Sequence, residues 1–160
     1  MANISAHKDP KLPAPLTVAN TQDWAANLYT ISAADAETLI AAIQTLYPHD
    51  SLPVTIYRRV VLHFDRLDTG PTLTAFCESL GGAWPIPFTA LAETYRIEAL
   101  KRIEATPEFT FVQRLAVRYL YDDVELWSAF GYEGASVHLG GYLKRGFDDL
   151  DWLPPLPNDL

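Results

Sequence analysis

The chain has one cysteine, Cys77, in 160 residues. A lone thiol excludes an internal disulfide framework, a cysteine-rich zinc site and c-type haem attachment, each of which needs two or more. Positive charge is also scarce: 12 Lys and Arg stand against 20 Asp and Glu, a net charge of -8. Phosphate recognition needs clustered cations, so a nucleic-acid surface is disfavoured, and anionic lipid is an equally poor partner. No window approaches the ~18 consecutive apolar residues of a membrane-spanning helix, so direct membrane insertion is not expected. The opening residues, Met1 to Pro13, lack a basic stretch followed by an apolar one and carry no paired arginines of the export type. As written the chain is expected in the cytoplasm, and in the periplasm if it is a processed form or travels out with a partner. Alternating strand patterns are scarce, and internal repeats and low-complexity tracts are absent.

What is present fits one globular domain with a real core, at 49% hydrophobic and 20% charged residues. Its apolar residues recur at spacings of three and four, the helical period. Ser32, with Asp35 three residues on and Ile31 before it, predicts a capped helix start. Ala36, Leu39, Ile40, Ile43, Leu46 and Tyr47 then form one apolar face, ended by Pro48. A second helix is expected from Pro53, with Tyr57, Val60, Val61, Phe64 and Leu67 inward, closed by Thr69-Gly70-Pro71. A third spans Pro71 to Leu80 with Leu73, Phe76 and Leu80 inward, Cys77 against the core and a left-handed cap at Gly81-Gly82.

Phe88 to Ala105 gives the longest candidate, with Leu91, Tyr95, Leu100 and Ile103 apolar and Glu98 four residues before Arg102. Thr106 caps a fifth helix with Pro107 in its first turn and Phe111, Leu115 and Tyr119 as its stripe. Asp122 to Glu125 opens a last short one through Leu126, Trp127 and Phe130, stopped by Gly131. The expected class is all-α: an irregular small bundle of five to six helices over residues 31–130.

Both ends differ from that body. Residues 1–30 hold Pro10, Pro13 and Pro15 and no sustained period, so an extended arm is expected, docked by Trp24, Leu28 and Tyr29. Residues 131–160 begin with five glycines between 131 and 146, which weaken any regular element but permit left-handed turns and close approach. Tyr132, Tyr142, Arg145, Phe147 and Trp152 stand along this segment, the residue types that anchor partner surfaces. Asp148, Asp149 and Asp151 keep it soluble, and Trp152 to Pro157 is an apolar, proline-rich strip with little entropy left to lose on docking. Two readings compete: an irregular interaction segment that lies along another protein, or a strap closed over its own helices.

Candidate catalytic groups each meet a plainer reading. His49 and Asp50, with His63 and Asp65 from the next helix, could make a metal-dependent hydrolase. Adjacent residues on a turn usually diverge, however, and Asp50 is better placed to cap the helix at Pro53, with His49 closing the preceding one. Ser136 and His138 lie two apart on an irregular loop without a Gly-x-Ser-x-Gly elbow, and suit turn hydrogen bonding. Asp122-Asp123 and Asp148-Asp149 read as caps and solvated acids. Gly140-Gly141 lacks the Lys-Ser/Thr of a phosphate loop. No residue is assigned a catalytic, cofactor-binding or metal role, and a stand-alone protein-binding scaffold is the other alternative.

Certain residues carry a resemblance: Tyr47-Pro48-His49-Asp50, Tyr57-Arg58, Leu120-Tyr121-Asp122, Trp127, Gly131-Tyr132-Glu133-Gly134, Gly140-Gly141-Tyr142, and Arg145 to Asp149 through Asp151-Trp152-Leu153-Pro154. Over residues 33–154 the chain resembles the gluconate 2-dehydrogenase subunit 3 family. The resemblance implies a non-catalytic small subunit that supports folding, stability or assembly of a large FAD-bearing subunit of the glucose-methanol-choline type. That large subunit oxidises a sugar or sugar acid, with a cytochrome c subunit as a further partner. FAD is expected in the large subunit and not here, since this chain has no Gly-x-Gly-x-x-Gly turn. Many relatives carry a twin-arginine export signal, which this chain does not show.

Overall fold

The computed structural model describes residues 22–67, 69–82, 84–132, 134, 135, 137, 140 and 141. Six α-helices make up this part: α1 Ala33–Leu46, α2 Val54–Asp65, α3 Gly70–Gly81, α4 Glu93–Ile103, α5 Pro107–Tyr121 and α6 Val124–Ala129. The described residues contain no strand, and the class is all-α.

Helix α1 is the hub. Leu39, Ile40, Ala41, Ala42 and Ile43 are buried in succession, so it is enclosed all round and packs on α2, α3, α4 and α5. The sequence suggests one apolar face. The buried alanines explain the difference, because their small side chains let neighbouring helices approach from the remaining directions. Its start is as expected: the Ser32 hydroxyl accepts the Asp35 N–H at 3.0 Å and donates to the Asp35 carboxylate at 2.8 Å, with Ile31 buried beside it. Ser32→Ala is expected to lower stability by about 1 kcal/mol, read as a lower urea midpoint at unchanged slope. An unmoved midpoint would mean that this cap contributes nothing.

Helices α2 and α3 bring Ile56, Tyr57, Val60, Val61, Phe64, Leu73, Phe76 and Leu80 into the core, and the Cys77 thiol is buried there too. Burial, with Asp35 nearby, pushes that thiol well above its ordinary range, so it is a packing group and not a nucleophile. Gly70 is required where α3 begins, since a Cβ there would lie 2.9 Å from the Thr30 carbonyl oxygen. The left-handed cap expected at Gly81-Gly82 is not formed: Gly82 has φ -79° and donates to the Glu78 carbonyl, continuing the right-handed turn.

Three further expectations need correction. The single long helix from Phe88 is two elements, a 3-10 turn Phe88–Ala90 and then α4, and α5 is the longest helix. The Arg96 guanidinium bonds the Phe88 and Thr89 carbonyls, which ties off the turn before α4 starts. Tyr95 is exposed, and Arg102 lies over the Trp84 ring instead of pairing with Glu98. In α5, Thr106 caps as expected, accepting the Phe109 N–H, but the buried face is Phe109, Val112, Ala116 and Leu120. The stripe of Phe111, Leu115 and Tyr119 is only half-buried. Finally, Gln22–Asn27 is 3-10 helix where an extended arm is expected, with Trp24 buried, Leu28 half-buried and Tyr29 exposed.

The stretch between that 3-10 helix and α1 is fastened by a carboxylate about 35 residues away. Buried Asp65, at the end of α2, accepts N–H bonds from Tyr29 at 2.6 Å, Thr30 at 2.7 Å and Ile31 at 3.1 Å, and the Thr30 hydroxyl at 3.0 Å. A second fastening is ionic. Arg59 of α2 donates to both Asp123 oxygens at 2.7 and 3.0 Å and to Glu125 at 2.7 Å, while Asp123 also caps α6.

Candidate functional site

Where α1 ends and α6 begins, side chains from separated stretches meet. The Tyr57 hydroxyl, reaching from α2, donates to the Tyr47 carbonyl at 3.1 Å just past α1. Tyr121, at the last turn of α5, packs edge-on against Tyr47, ring centroids 6.2 Å apart, and against His49 at 5.9 Å. His49 Nε2 and the Tyr121 hydroxyl are hydrogen-bonded at 3.2 Å, and the His49 ring meets Phe130 at 5.3 Å. The Trp127 indole N–H donates to the Tyr121 carbonyl at 2.6 Å. Edge-to-face contacts of this type add stability beyond area burial, and the chain of contacts makes one aromatic cluster.

The cluster extends into the glycine-containing segment. Gly131 stops α6 at φ 70°, which turns the chain back so that the Tyr132 N–H donates to the Trp127 carbonyl at 2.9 Å. The Tyr132 ring then packs edge-on to Trp127, 5.3 Å between centroids. Gly134, at φ 90°, lies under the same indole, where a Cβ would stand 3.3 Å from the ring. Of the five expected contact residues, Tyr132 is therefore held against its own α6 with 47% of its surface exposed. Tyr142, Arg145, Phe147 and Trp152 lie outside the described residues.

The outer side of the cluster is open. Phe130 is 56% exposed, and Tyr121 and Val124 are exposed by two fifths. Exposed aromatic and aliphatic side chains at one end of a domain are candidates for contact with another surface. Val124 in α6 and Phe130 at its C-cap are exposed, and the six-residue helix has one buried position, Leu126.

An open cleft of about 330 Å³ adjoins the cluster, lined by Thr45, His49, Asp50, Tyr57, Glu93 and Arg96 among others. Burial raises the Tyr57 and Tyr47 phenols above their ordinary range, so both stay protonated donors at neutral pH. Asp50 does not cap α2. The Leu52 N–H closes a turn onto the His49 carbonyl, Pro53 occupies the cap position, and no side chain bonds there.

The four residues considered for a metal do not converge. His49 is in the aromatic cluster, His63 stacks flat on Tyr119 at 4.6 Å, and Asp65 is taken up by its four donors. Burial, with Arg66 adding to it, holds His63 below its ordinary range. Among the described residues no three His, Cys, Asp or Glu side chains are grouped to hold a metal ion. No helix among them is long and apolar enough to cross a membrane.

Compared with models of known families, with curated proteins and with solved structures, the chain matches none.

Proposed function

We propose that this chain is the non-catalytic small subunit of an FAD-dependent sugar or sugar-acid dehydrogenase. In this reading it supports the folding, stability or assembly of a glucose-methanol-choline type flavoprotein. One observation carries the proposal. Residues on which the family resemblance rests, Tyr47, His49, Tyr57, Tyr121, Trp127 and Tyr132, come from five separated stretches and meet in one cluster. Its rim, Tyr121, Val124, Phe130 and Tyr132, is exposed.

Physically, such a subunit needs to supply contact area and not chemistry. Flavin reactivity resides in the cofactor, and the surrounding proteins provide orientation and electrostatics. An exposed aromatic rim, followed in the sequence by Tyr142, Arg145, Phe147 and Trp152, has the composition of an interface core. A cytochrome c subunit would be a third component, and periplasmic residence would follow if the assembly is exported.

The test is co-expression of the chain with its genomic neighbours, followed by capture through a tag on this chain. A yellow, FAD-containing protein is expected to come down with it. Phe147→Ala combined with Trp152→Ala, and separately Phe130→Ala, are each expected to reduce its yield about tenfold or more, with helical circular dichroism little changed. Capture of no flavoprotein by the unmodified chain would reject the proposal, and full retention by both variants would reject the interface.

A further inference from the structure

The cleft beside the aromatic cluster carries hydrogen-bonding capacity that the fold does not use. Its walls come from three separate stretches: Gln44 near the end of α1, Pro48, Asp50 and Leu52 in the connection to α2, and Glu93 and Arg96 at the start of α4. Its volume of about 330 Å³ is at the small end of the range of ligand pockets. Two of its groups are already fixed. Tyr57 is buried, with its hydroxyl spent on the Tyr47 carbonyl, and Arg96 is held by the Phe88 and Thr89 carbonyls through Nε and Nη2, which leaves its Nη1 donors unengaged among the described residues. Asp50 caps neither helix, and no ion pair among the described residues involves Asp50, Glu93 or Arg96.

This lining sets acceptors and donors in one space. Asp50 and Glu93 accept, Arg96 donates, and the Gln44 amide does both. An anion would bring acceptors alone and meet two carboxylates. An ammonium would bring donors alone and leave the Arg96 and Gln44 N–H groups without acceptors. A hydroxyl donates one proton and accepts in return, so several hydroxyls on a small frame answer both kinds of group at once. Pro48 and Leu52 add apolar surface that suits the C–H face of a ring.

We propose that this cleft binds a neutral monosaccharide. Asp50 and Glu93 accept from its hydroxyls in charge-assisted bonds, about twice as strong as neutral ones, and Arg96 and Gln44 donate back. The site goes beyond the flavoprotein reading, because every residue it uses belongs to this chain, and either reading can fail without the other.

The test is titration of the isotope-labelled full chain with glucose, galactose and mannose, followed by amide chemical shifts. At least one of them is expected to bind with a Kd of about 1 mM or tighter. The amino sugar and the uronic acid of the same configuration are expected to bind about tenfold more weakly. Asp50→Asn and Glu93→Gln are each expected to weaken binding of the neutral sugar by about tenfold, and Glu98→Gln, an exposed α4 residue outside the cleft, to leave it unchanged. Asp50 and Glu93 are exposed, so circular dichroism of both variants is expected to match the unmodified chain, which separates lost binding from lost folding. The proposal is overturned if none of the three sugars binds, if a charged counterpart binds more tightly than its neutral parent, or if both carboxylate variants bind as the unmodified chain does.

Discussion

Asp65→Asn is expected to destabilise the chain by about 3 kcal/mol at pH 7, since charge-assisted hydrogen bonds contribute more than neutral ones and unpaired buried donors carry their own penalty. The carboxylate accepts three consecutive backbone N–H groups and the Thr30 hydroxyl. An amide keeps one acceptor oxygen and turns its own N–H₂ toward the same donors. Burial alone would push the Asp65 carboxyl up, but the N–H bonds from Thr30, Tyr29 and Ile31 outweigh it and hold the group below its ordinary value of 3.8. The unfolded chain therefore takes up this proton at a higher pH than the folded one. The stabilisation is fully present above about pH 4 and is lost as pH falls through the folded value. Urea unfolding of both proteins at pH 7 and at pH 3 checks this: a wide gap in stability is expected at pH 7, narrowing at pH 3. A gap that is small at pH 7, or does not narrow in acid, rules out the carboxylate as the fastening of residues 29–31.

Asp65 also shows where sequence reasoning stops. Its partners are 34 to 36 residues away, and nothing in the local pattern of α2 announces them. Features fixed within one turn were readable: the Ser32 and Thr106 caps, Pro107 at a helix start and Gly131 at a helix end. The caps depend on side-chain-to-backbone bonds over three residues, and Pro107 and Gly131 on the backbone angles each residue itself favours. The inward face of α5 was not readable, because Phe109, Val112, Ala116 and Leu120 form as good a stripe as Phe111, Leu115 and Tyr119. Only the neighbours choose: α2 and α3 pack on α5, and the stripe containing Ala116 is the one that becomes buried. The break before α4 likewise depends on Arg96 reaching back seven and eight residues.

The candidate site follows the same division. Its pieces were visible as motifs, but their convergence was not, since His49 and Tyr121 are 72 residues apart. Arg59 was missed as well, although a signal was there: two adjacent arginines interrupt the apolar run of Ile56, Tyr57, Val60 and Val61. An arginine on the same face as Ile56 and Val60 has to find an acid within the core.

That acid pair makes the second large effect. Arg59→Ala is expected to lower stability by about 3–5 kcal/mol, or roughly 6–20 °C in Tm for a chain of this size. The guanidinium and Asp123 are both buried, with 7% and 8% of their side chains exposed. Burial pulls Arg59 down, but its bonds to Asp123 and Glu125 together outweigh that and hold it above its ordinary value, so the guanidinium stays charged. Removing the cation leaves Asp123 as a buried charge without its partner, and the strain falls on α6, which Asp123 caps. Helix α6 carries Trp127 and leads to Phe130, so the aromatic rim should loosen before the core does. Arg59→Met with Asp123→Asn separates charge from shape. Asparagine still caps, and no unpaired charge remains, so the double variant should be more stable than Arg59→Ala and clearly better than the sum of its singles. Tryptophan fluorescence is expected to report Trp127 exposure in Arg59→Ala and not in the double variant. Additive losses in the cycle, or a shift under about 1 kcal/mol for Arg59→Ala, would show that the pair behaves as a surface ion pair and that α6 is positioned by packing alone.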